Sequence, residues 1–411
     1  MQVDSSDLCR RHAASSPTVA GVAACPPMRV LQVMPEFWLE RTQSWLYTQI
    51  TSLPTQVESH VACHRTHLLD EFPFPRLHCR ADESIWRRAW WAAQDRLPIG
   101  RHSAYRRYVA GRVRPDVVHS HFGPTGWGMA NIARAHGAAH LVTFYGLDVN
   151  YLPRAGWAAR YEVMFPAIDR VLCEGPHMRR CVIDLGCPPD KVHVHRLGVD
   201  LQRLPFQPRQ WRPGQPLRVL LAASFREKKG LSWAIRALGR LRNELQLEVS
   251  VIGGPADSPE GRRKAAIIGE AIGESGLGDR VRLLGFRTHA ELLAIAYQCH
   301  LFLAPSVTAQ NGDTEGGAPV TLIEMIAAGM PVVSSRHCDI PDIVEHGLTG
   351  FLAPERDIDG IVDCVHRMLA AHDKWPQMLA TGRAHIEAHH DARRQAVALA
   401  SHYASLRAIS C

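Results

Sequence analysis

Short apolar runs alternate with longer amphipathic stretches along most of this chain. In the first half the runs predict buried strands at Val30–Met34, Val57–Cys63, Val117–His121, His140–Phe144, Arg170–Cys173 and Val192–Leu197. In the second half they predict strands at Arg218–Ala223, Glu248–Ile252, Val281–Leu284, His300–Ala304, Val332–Ser334 and Gly350–Leu352. Stretches with helical periodicity separate them, for example Ser44–Leu53, Ser84–Gln94, Gly126–Ala135 and Gly175–Leu185. Strands alternating with helices are typical of parallel sheets, so we expect an α/β protein.

The two series of strands are separated by a segment that resembles a linker. Residues 204–216 contain four Pro in thirteen positions, which favours irregular structure. Two doubly wound domains facing a cleft are therefore expected. The predicted division is a disordered tail over 1–27 with Met28 as an alternative start, a first Rossmann-like domain over 28–203, a linker over 204–216, a second Rossmann-like domain over 217–375 and a C-terminal helix over 376–411.

The composition is that of a globular protein. Hydrophobic residues make up 46% of the 411 positions and charged residues 21%, which excludes a chain that is disordered throughout. No apolar stretch approaches the roughly 18 residues of a transmembrane helix. Eleven Cys without a C-x-x-C pair argue against a zinc ribbon and predict reduced thiols in a cytoplasmic protein. A formal net charge of +7 suits an anionic small molecule or an anionic lipid surface, and no nucleic-acid-binding module is recognisable.

Residues 301–335 contain the strongest candidate site. An apolar strand leads into a polar loop that ends in Glu315, Gly316 and Gly317, and a helix is expected to begin near Pro319. Exposed amides before a helix N-terminus form a site suited to a diphosphate. Glu324, about one turn into the helix, can accept hydrogen bonds from a ribose, and Glu315 can reach a sugar beyond the phosphates. The alternative is a capping turn followed by an exposed helical Glu.

A second candidate site follows the first strand of the second half. Residues 222–230, AASFREKKG, place Arg226, Lys228 and Lys229 at a strand end, where they could neutralise a diphosphate. The alternative is a solvated basic turn. Two of only five Lys in the chain fall in this segment, which favours a functional role.

Taken together, these motifs resemble the retaining glycosyltransferases of family 4, and in detail the bacterial exopolysaccharide members of colanic-acid type. The resemblance spans roughly Met28 to Leu406. It rests on Glu315-Gly316 with Glu324, on Lys229-Gly230, and on the segments Val251–Gly254, Leu284–Phe286, Ile340–Val344, Gly198–Asp200 and TFYGLD at 143–148.

The resemblance implies a GT-B fold, in which the C-terminal helix packs back on the first domain, and a nucleotide-sugar donor bound in the second half. By that analogy Lys229, supported by Arg226, contacts the diphosphate, Glu324 the ribose and Glu315 the transferred sugar. Gly316, Gly317, Ala318 and Thr321 would line the helix N-terminus, and the backbone around Gly285 and Phe286 would hold the base. No metal ion and no other cofactor is implied.

Three features depart from the family pattern. Eight residues separate Glu315 from Glu324 where the family has seven, so the loop must accommodate one extra residue. Ser224 stands where the family has Arg, and Arg226 could substitute for it. Tyr145 stands where many members have His near the reacting carbon, and a Tyr is a poor base at neutral pH. In a retaining front-face mechanism the donor phosphate itself can accept the acceptor's proton.

The first half is expected to bind the acceptor. His119 and His121 lie on one face of a strand, where one of them could contact the acceptor or assist Tyr145. A metal pair is the alternative, but no third ligand is indicated. Asp148 is a candidate partner for an acceptor hydroxyl, and Arg41 and Thr42 could supply further polar contacts.

Residues 80–114 combine nine Arg with only three acidic residues and interleaved Trp and Tyr. Such a segment suits an anionic bilayer surface, where docking would serve a lipid-linked acceptor. The alternative is a solvated face with the Trp residues packed inward. A peripheral position on the inner face of the cytoplasmic membrane is therefore one expectation for this protein.

The sequence predicts an enzyme that transfers a hexosyl unit, with retention, from a nucleoside-diphosphate sugar to a glycan or lipid-linked glycan in cell-surface or exopolysaccharide biosynthesis. Two alternatives stay open. One is a nucleotide-sugar-binding protein without catalysis, which Tyr145 and the altered Glu spacing make plausible. The other, less favoured, is a nucleotide-sugar epimerase on the same fold.

Overall fold

The fold consists of two parallel β-sheets with helices on their faces, and it confirms the expected α/β architecture. The computed structural model describes residues 26–96 and 103–410, except for the side chains of Arg41, Ser103 and 408–410. The predicted tail, apart from residues 26 and 27, lies outside this range. No helix in the described part is long and apolar enough to cross a bilayer.

The first sheet has seven strands in the order β3-β2-β1-β4-β5-β6-β7. Its strands are β1 Met28–Val33, β2 Val57–Cys63, β3 Leu77–Cys79, β4 Val117–His121, β5 Ala139–Thr143, β6 Arg170–Cys173 and β7 Val192–Val194. The second sheet has six strands in the order β10-β9-β8-β11-β12-β13. Its strands are β8 Leu217–Ala222, β9 Leu247–Ile252, β10 Val281–Gly285, β11 Leu301–Ala304, β12 Val332–Ser335 and β13 Phe351–Ala353.

Helices connect the strands of each sheet. Around the first sheet they are α1 Ser44–Thr51, α2 Ile85–Gln94, α3 Ser103–Val113, α4 Gly123–Ala135, α5 Leu147–Leu152, α6 Ala158–Met164 and α7 Pro176–Asp184. Around the second sheet they are α8 Leu231–Arg240, α9 Pro259–Glu274, α10 His289–Ala296, α11 Val320–Ala327, α12 Ile340–Ile343 and α13 Ile358–Ala370. Two helices end the chain, α14 Trp375–His389 and α15 Ala392–Ser410.

The strand predictions hold because most strand residues are buried by helices on both faces of each sheet; β10, at the edge of the second sheet, is an exception. All five residues of β4 and all five of β5 are buried, so each strand reads as a continuous apolar run rather than an alternating one. Strand β3 was not predicted. It has only three residues at the edge of the first sheet, which is too short to give a periodic signal.

Residues 204–216 contain no helix or strand, but they are fixed against the second sheet's helices. The buried guanidinium of Arg209 donates to the backbone oxygens of Ala296, Ala328 and Cys299 at 3.1–3.2 Å. Trp211 is also buried, in the core of the same lobe. This proline-rich segment is therefore anchored at Leu204, Arg209 and Trp211, while eight of its thirteen residues are exposed.

The single C-terminal helix expected from periodicity is wrong, because the chain breaks at His390 and Asp391. Val199 N donates to His390 O at 2.8 Å, and Ala392 N donates to Val199 O at 3.1 Å. Asp391 then accepts from Arg394 N at 2.9 Å and caps α15. The break lets α14 pack on α11 of the second lobe while α15 returns to β4 and β5 of the first, which confirms the expected return of the C-terminus.

The two lobes touch through backbone at a pair of glycines. Gly146, after β5, and Gly316, before α11, have φ angles of +109° and +79°. A Cβ at Gly316 would lie 2.2 Å from Gly146 Cα, and one at Gly146 would lie 2.4 Å from Glu315 O. Asn150 Nδ2 donates to Thr314 Oγ1 at 2.7 Å beside this contact. Only glycine at both positions allows the loops to meet this closely.

Replacing Gly316 by Ala should therefore push the lobes apart and destabilise the chain by about 2 kcal/mol or more. Gly137→Ala is the matched control, because Gly137 also has a positive φ (+65°) but no atom lies within 4 Å of the position its Cβ would take. Thermal unfolding and small-angle scattering measure both effects. Equal unfolding temperatures and equal radii of gyration for the two variants would show that the glycine contact does not hold the lobes together.

Candidate active site

A cleft of ≈ 640 Å³ lies between the lobes, at the carboxyl ends of both sheets. This is the size and the place expected for a ligand site in a doubly wound protein. The residues singled out from the sequence that line the cleft are Thr42, Tyr145, Asp148, Arg226, Lys228, Lys229, Phe286, Glu315, Ala318, Thr321 and Glu324. Gly285, Gly316 and Gly317 lie in the loops behind this lining, and the side chain of Arg41 lies outside the described part.

The basic turn after β8 faces the loop 311–317 across the cleft floor. Lys229 Nζ lies 2.8 Å from Glu315 Oε2, and Arg226 Nη2 lies 2.5 Å from Asp313 Oδ2. Lys228 is buried, donating to Thr314 O at 2.6 Å and Asp313 Oδ1 at 3.2 Å. Lys228 thus fixes the loop, while Lys229 and Arg226 keep part of their charge in the cleft.

Glu315 is ionised despite its burial. Burial acts to raise its pKa, but the ammonium groups of Lys229 and Lys228 and the hydroxyl of Ser306 outweigh it and lower the pKa of Glu315 to about 2. Ser306 Oγ donates to Glu315 Oε1 at 2.8 Å. A carboxylate fixed in this way presents a permanent acceptor for hydroxyl groups in the cleft.

Helix α11 points its N-terminus into the cleft. Its first N–H groups have no partner within the helix, and its N-cap, Pro319, offers no side chain to cap them. One turn further on, Glu324 Oε1 lies 2.9 Å from His289 Nε2 of α10. That hydrogen bond raises the pKa of His289, so the imidazole acts as a donor that orients the carboxylate.

An aromatic ring closes the other end of the cleft. Phe286 follows β10 and is 44% exposed, which is unusual for a Phe in the described part of the chain. Its ring covers Gly254, and a Cβ at that glycine would lie 3.2 Å from the ring. An exposed ring over a glycine turn provides a flat apolar surface on which a planar base can stack.

Tyr145 lines the cleft, and its hydroxyl contacts a buried side chain of the first lobe. The hydroxyl lies 2.6 Å from Nδ1 of His121, which is fully buried and contacts Gln32 Oε1 through Nε2 at 3.0 Å. Burial raises the pKa of Tyr145 well above its usual value. His121 therefore contacts Tyr145 rather than the cleft, and Tyr145 stays a neutral phenol.

Asp148 lines the cleft, but its carboxylate is already engaged. Its two oxygens accept from Tyr145 N and Gly123 N, each at 2.9 Å. Burial raises the pKa of Asp148 to about 6, although these amides oppose the shift. The geometry thus fits a residue that holds the loops after β4 and β5 in place. Thr42 lies nearby in the 3₁₀ turn Arg41–Gln43.

Glu174, which directly follows β6, is a further carboxyl group that lines the cleft. Its Oε2 would lie 1.9 Å from a Cβ placed on Gly317, so that glycine leaves room for the Glu174 side chain. Burial first, and then the carboxylates of Asp339, Asp148 and Glu315, raise the pKa of Glu174 well above its usual value. Burial and these carboxylates therefore favour the protonated form of Glu174 beside the helix N-terminus.

His289 and Ser306 were not predicted. His289 belongs to a different βαβ unit from Glu324, and Ser306 is an ordinary serine in a polar loop, so neither has a local signal. The capping box Thr288–Glu291 does mark the start of α10 and could have indicated that His289 sits at the cleft edge. Within the described ranges no group of three His, Cys, Asp or Glu side chains is arranged to hold a metal ion.

Two sequence families match the chain, one in each lobe. Residues 45–203 match "Glycosyltransferase Family 4" and residues 216–371 match "Glycosyl transferases group 1". The putative colanic acid biosynthesis glycosyltransferase WcaL of Salmonella typhimurium is 31% identical over 323 residues, which is 74% of this chain and 77% of the relative. The amylovoran biosynthesis glycosyltransferase AmsK of Erwinia amylovora is 32% identical over 287 residues, which is 68% of each.

Solved structures match both lobes together. Anabaena HepE in complex with UDP and glucose superposes with a TM-score of 0.74 at 16% identity, covering 92% of this chain and all of HepE. Sucrose-phosphate synthase from Thermosynechococcus elongatus gives 0.73 at 16% identity over 93% of this chain and all of that one. These likenesses confirm the two-domain GT-B fold.

Glu174→Gln should become more stable than the parent as pH rises. An unfolded Glu loses its proton near its ordinary pKa of 4.5, whereas the folded protein retains that proton to higher pH. The native state therefore binds more protons above that point, and the parent's unfolding free energy falls as pH rises, while a neutral Gln is unaffected. Melting temperatures from pH 5 to pH 8 measure the difference.

Glu270→Gln on exposed α9 is the control, and its difference from the parent should not change with pH. If Glu174→Gln were destabilised by the same amount at every pH, the cleft would accommodate the charged carboxylate and the neutral acid would be excluded.

Proposed function

This chain belongs to the family 4 glycosyltransferases, and from that premise we propose that it transfers a hexosyl unit from a nucleoside-diphosphate sugar, with retention at the sugar carbon. The observation that carries the proposal is the convergence of Lys229, the α11 N-terminus, Glu324 and Phe286 on one cleft. Along the cleft, Phe286 offers a ring for the base and Glu324 offers a carboxylate for the ribose. Lys229 and the free amides of α11 then offer positive charge and donors for the diphosphate.

The donor's diphosphate would lie between the basic turn and α11. Lys229 and Arg226 supply positive charge there, and the first amides of the helix add donors and the positive end of its dipole. Both cations are paired with carboxylates in the structure, so a bound phosphate would share them with Glu315 and Asp313. Negative charge that develops on the leaving group is thereby stabilised. We propose that no metal ion is needed.

Glu315 would hold the transferred sugar. Its carboxylate is ionised, fixed by Ser306, and next to Lys229, so sugar hydroxyls placed beside the diphosphate can donate to it. The extra residue before Glu324 does not remove Glu315 from the cleft, because Glu315 still lines it. Glu174, as a neutral acid, can donate to a phosphate or sugar oxygen from the opposite lobe without repelling it.

Proton transfer in this cleft would use the donor rather than Tyr145. The acceptor oxygen bonds to the sugar carbon as the bond from that carbon to the diphosphate oxygen breaks, both on the same face. The acceptor's proton passes to the departing phosphate oxygen, so no protein base is required. The Tyr145 hydroxyl is committed to His121 and remains neutral, which fits this route.

The acceptor is proposed to be a glycan or lipid-linked glycan in exopolysaccharide biosynthesis, as the names of the WcaL and AmsK relatives suggest. It would enter past the first-lobe residues Thr42, Trp45 and Phe122, which form the other wall of the cleft. The eight Cys residues in the described part are free thiols, which fits a reducing cytoplasm.

Lys229→Ala should lose donor binding while the fold is kept. A nucleoside-diphosphate sugar at 100 times its dissociation constant stabilises the parent by about 2.7 kcal/mol, and the variant should show a small fraction of that gain. A thermal-shift panel of UDP-, GDP- and ADP-sugars measures it and identifies the donor. Lys374→Ala, at an exposed Lys of the second lobe, is the matched control. Equal shifts for the parent and Lys229→Ala would refute the donor site.

The same panel separates the alternatives once the donor is known. A chain that binds the donor but forms no glycoside with any glycan acceptor would be a binding protein without catalysis. An epimerase would change the configuration of the sugar ring, whereas a retaining transferase gives a product with the donor's anomeric configuration. Product analysis by NMR distinguishes these outcomes.

Tyr145→Phe should leave kcat within about threefold of the parent, because the phenol donates to buried His121 and not to substrate. It should lower the unfolding free energy by roughly 1–2 kcal/mol, since a buried ring nitrogen loses its partner. The control is Tyr161→Phe, which removes a buried hydroxyl that has no partner in the described part. A loss in kcat of about 100-fold or more with the fold intact would make the hydroxyl a participant in proton transfer.

A further inference from the structure

Helix α2 carries an apolar face that is exposed in the described part of the chain. Ile85, Trp86 and Trp90 are 68%, 81% and 64% exposed. At 100° per residue these three side chains, with Ala89 and Ala93, fall within an arc of about 140° on one side of the helix. Among the other exposed large apolar side chains of the described chain, only Leu283 and Phe286 are close in sequence, whereas this arc collects three within six positions.

The opposite side of α2 already provides the helix with its own packing. Trp91 is buried, with its ring centre 5.1 Å from that of Tyr105 and 5.3 Å from that of Tyr108 on α3. The exposed Trp residues are therefore not required to attach the helix to the lobe. Two Trp and one Ile side chain that are exposed to solvent and have no packing role are typical of an interaction surface.

The segment that carries α2 and α3 has more arginines than acidic partners for them. Glu83 is paired with Arg87 at 3.0 Å, and Asp95 with Arg80 at 3.0 Å. The remaining exposed arginines have no carboxylate partner within the described residues; they are Arg88, Arg96, Arg107, Arg112 and Arg114. Exposed Trp with flanking Arg is complementary to a bilayer with anionic headgroups, because the rings enter the interface and the guanidinium groups contact phosphate.

The position of α2 in the fold places this face near the cleft. Strand β3 ends at Cys79 and α2 begins at Ile85, so the start of α2 lies at the carboxyl edge of the first sheet. All strands of that sheet are parallel, and their loops at the same edge carry Phe122 and Tyr145 into the cleft. A surface docked on α2 would therefore lie beside the first-lobe wall of the cleft.

We propose that the face formed by Ile85, Trp86, Ala89, Trp90 and Ala93, which we call the α2 face, docks this protein on an anionic lipid bilayer. The docking does not depend on the transferase reaction. If the acceptor is lipid-linked, as suggested under the proposed function, the docked orientation brings the first-lobe wall of the cleft towards the bilayer that holds the acceptor.

Vesicle flotation of the full chain tests the docking, with vesicles of phosphatidylcholine alone or mixed with phosphatidylglycerol. The parent should float with the mixed vesicles and much less with the neutral ones. The double variant Trp86→Ser and Trp90→Ser should lose at least roughly tenfold in binding to the mixed vesicles. The double variant Arg88→Gln and Arg96→Gln should bind the mixed vesicles roughly 30-fold more weakly, and its binding to neutral vesicles should equal that of the parent.

Two control variants match these changes in exposure and charge. Val163→Ser with Val397→Ser removes apolar side chains that are 71% and 59% exposed elsewhere. Arg393→Gln with Arg394→Gln removes an adjacent exposed Arg pair on α15. Both should float like the parent, and melting temperatures should show that all four variants are folded.

The inference is overturned if the parent does not float with anionic vesicles, or if the double Trp variant floats as well as the parent. It is also overturned if sedimentation shows a parent dimer that the Trp variant loses while neither binds vesicles, since the α2 face would then join two copies. Donor thermal shifts measured on the same variants keep this result separate from the donor site, because no residue of the α2 face lines the cleft.

Discussion

The apposition of Gly146 and Gly316 is the constraint on which the rest of the site depends. It brings two loop backbones from different sheets within contact distance and leaves no space for a side chain on either. Around it, Asn150 holds Thr314, and Asp339 of the second lobe accepts from His177 N at 2.6 Å at the start of α7. The cleft therefore has two walls at a fixed separation, and Tyr145 and Glu315 are each next to one of the two glycines in sequence.

The charges within the cleft follow from that geometry. Glu315 lies next to two ammonium groups and is a carboxylate, whereas Glu174 has acidic neighbours on several sides and is a neutral acid. Two glutamates at the same end of the cleft thus have opposite hydrogen-bonding roles, one accepting and one donating. An anionic diphosphate beside the α11 amides is compatible with this arrangement, because burial favours the uncharged form of Glu174.

The first lobe differs in character from the second. Polar groups on its cleft side are already hydrogen-bonded within the lobe, since Tyr145 bonds to His121 and Asp148 accepts from two loop amides. His121 and Asp148, which the sequence predicted on the acceptor side, also stabilise the loops that shape this wall. The lobe's exposed chemistry lies on α2, where apolar rings and arginines face outwards together.

The two sheets and the second-lobe residues of the cleft could be predicted from the amino-acid sequence alone. Buried parallel strands appear in the sequence as apolar runs. Lys229, Glu315 and Phe286 follow strands of the second sheet, and Glu324 lies in the helix after Glu315. All four are therefore expected near one edge of that sheet. The tertiary structure decided the rest, including the break at His390, the orientation of Tyr145 and the place of Glu174 against Gly317. Periodicity records which face of an element is buried, but the partner of a polar group and its protonation depend on residues brought close only by folding.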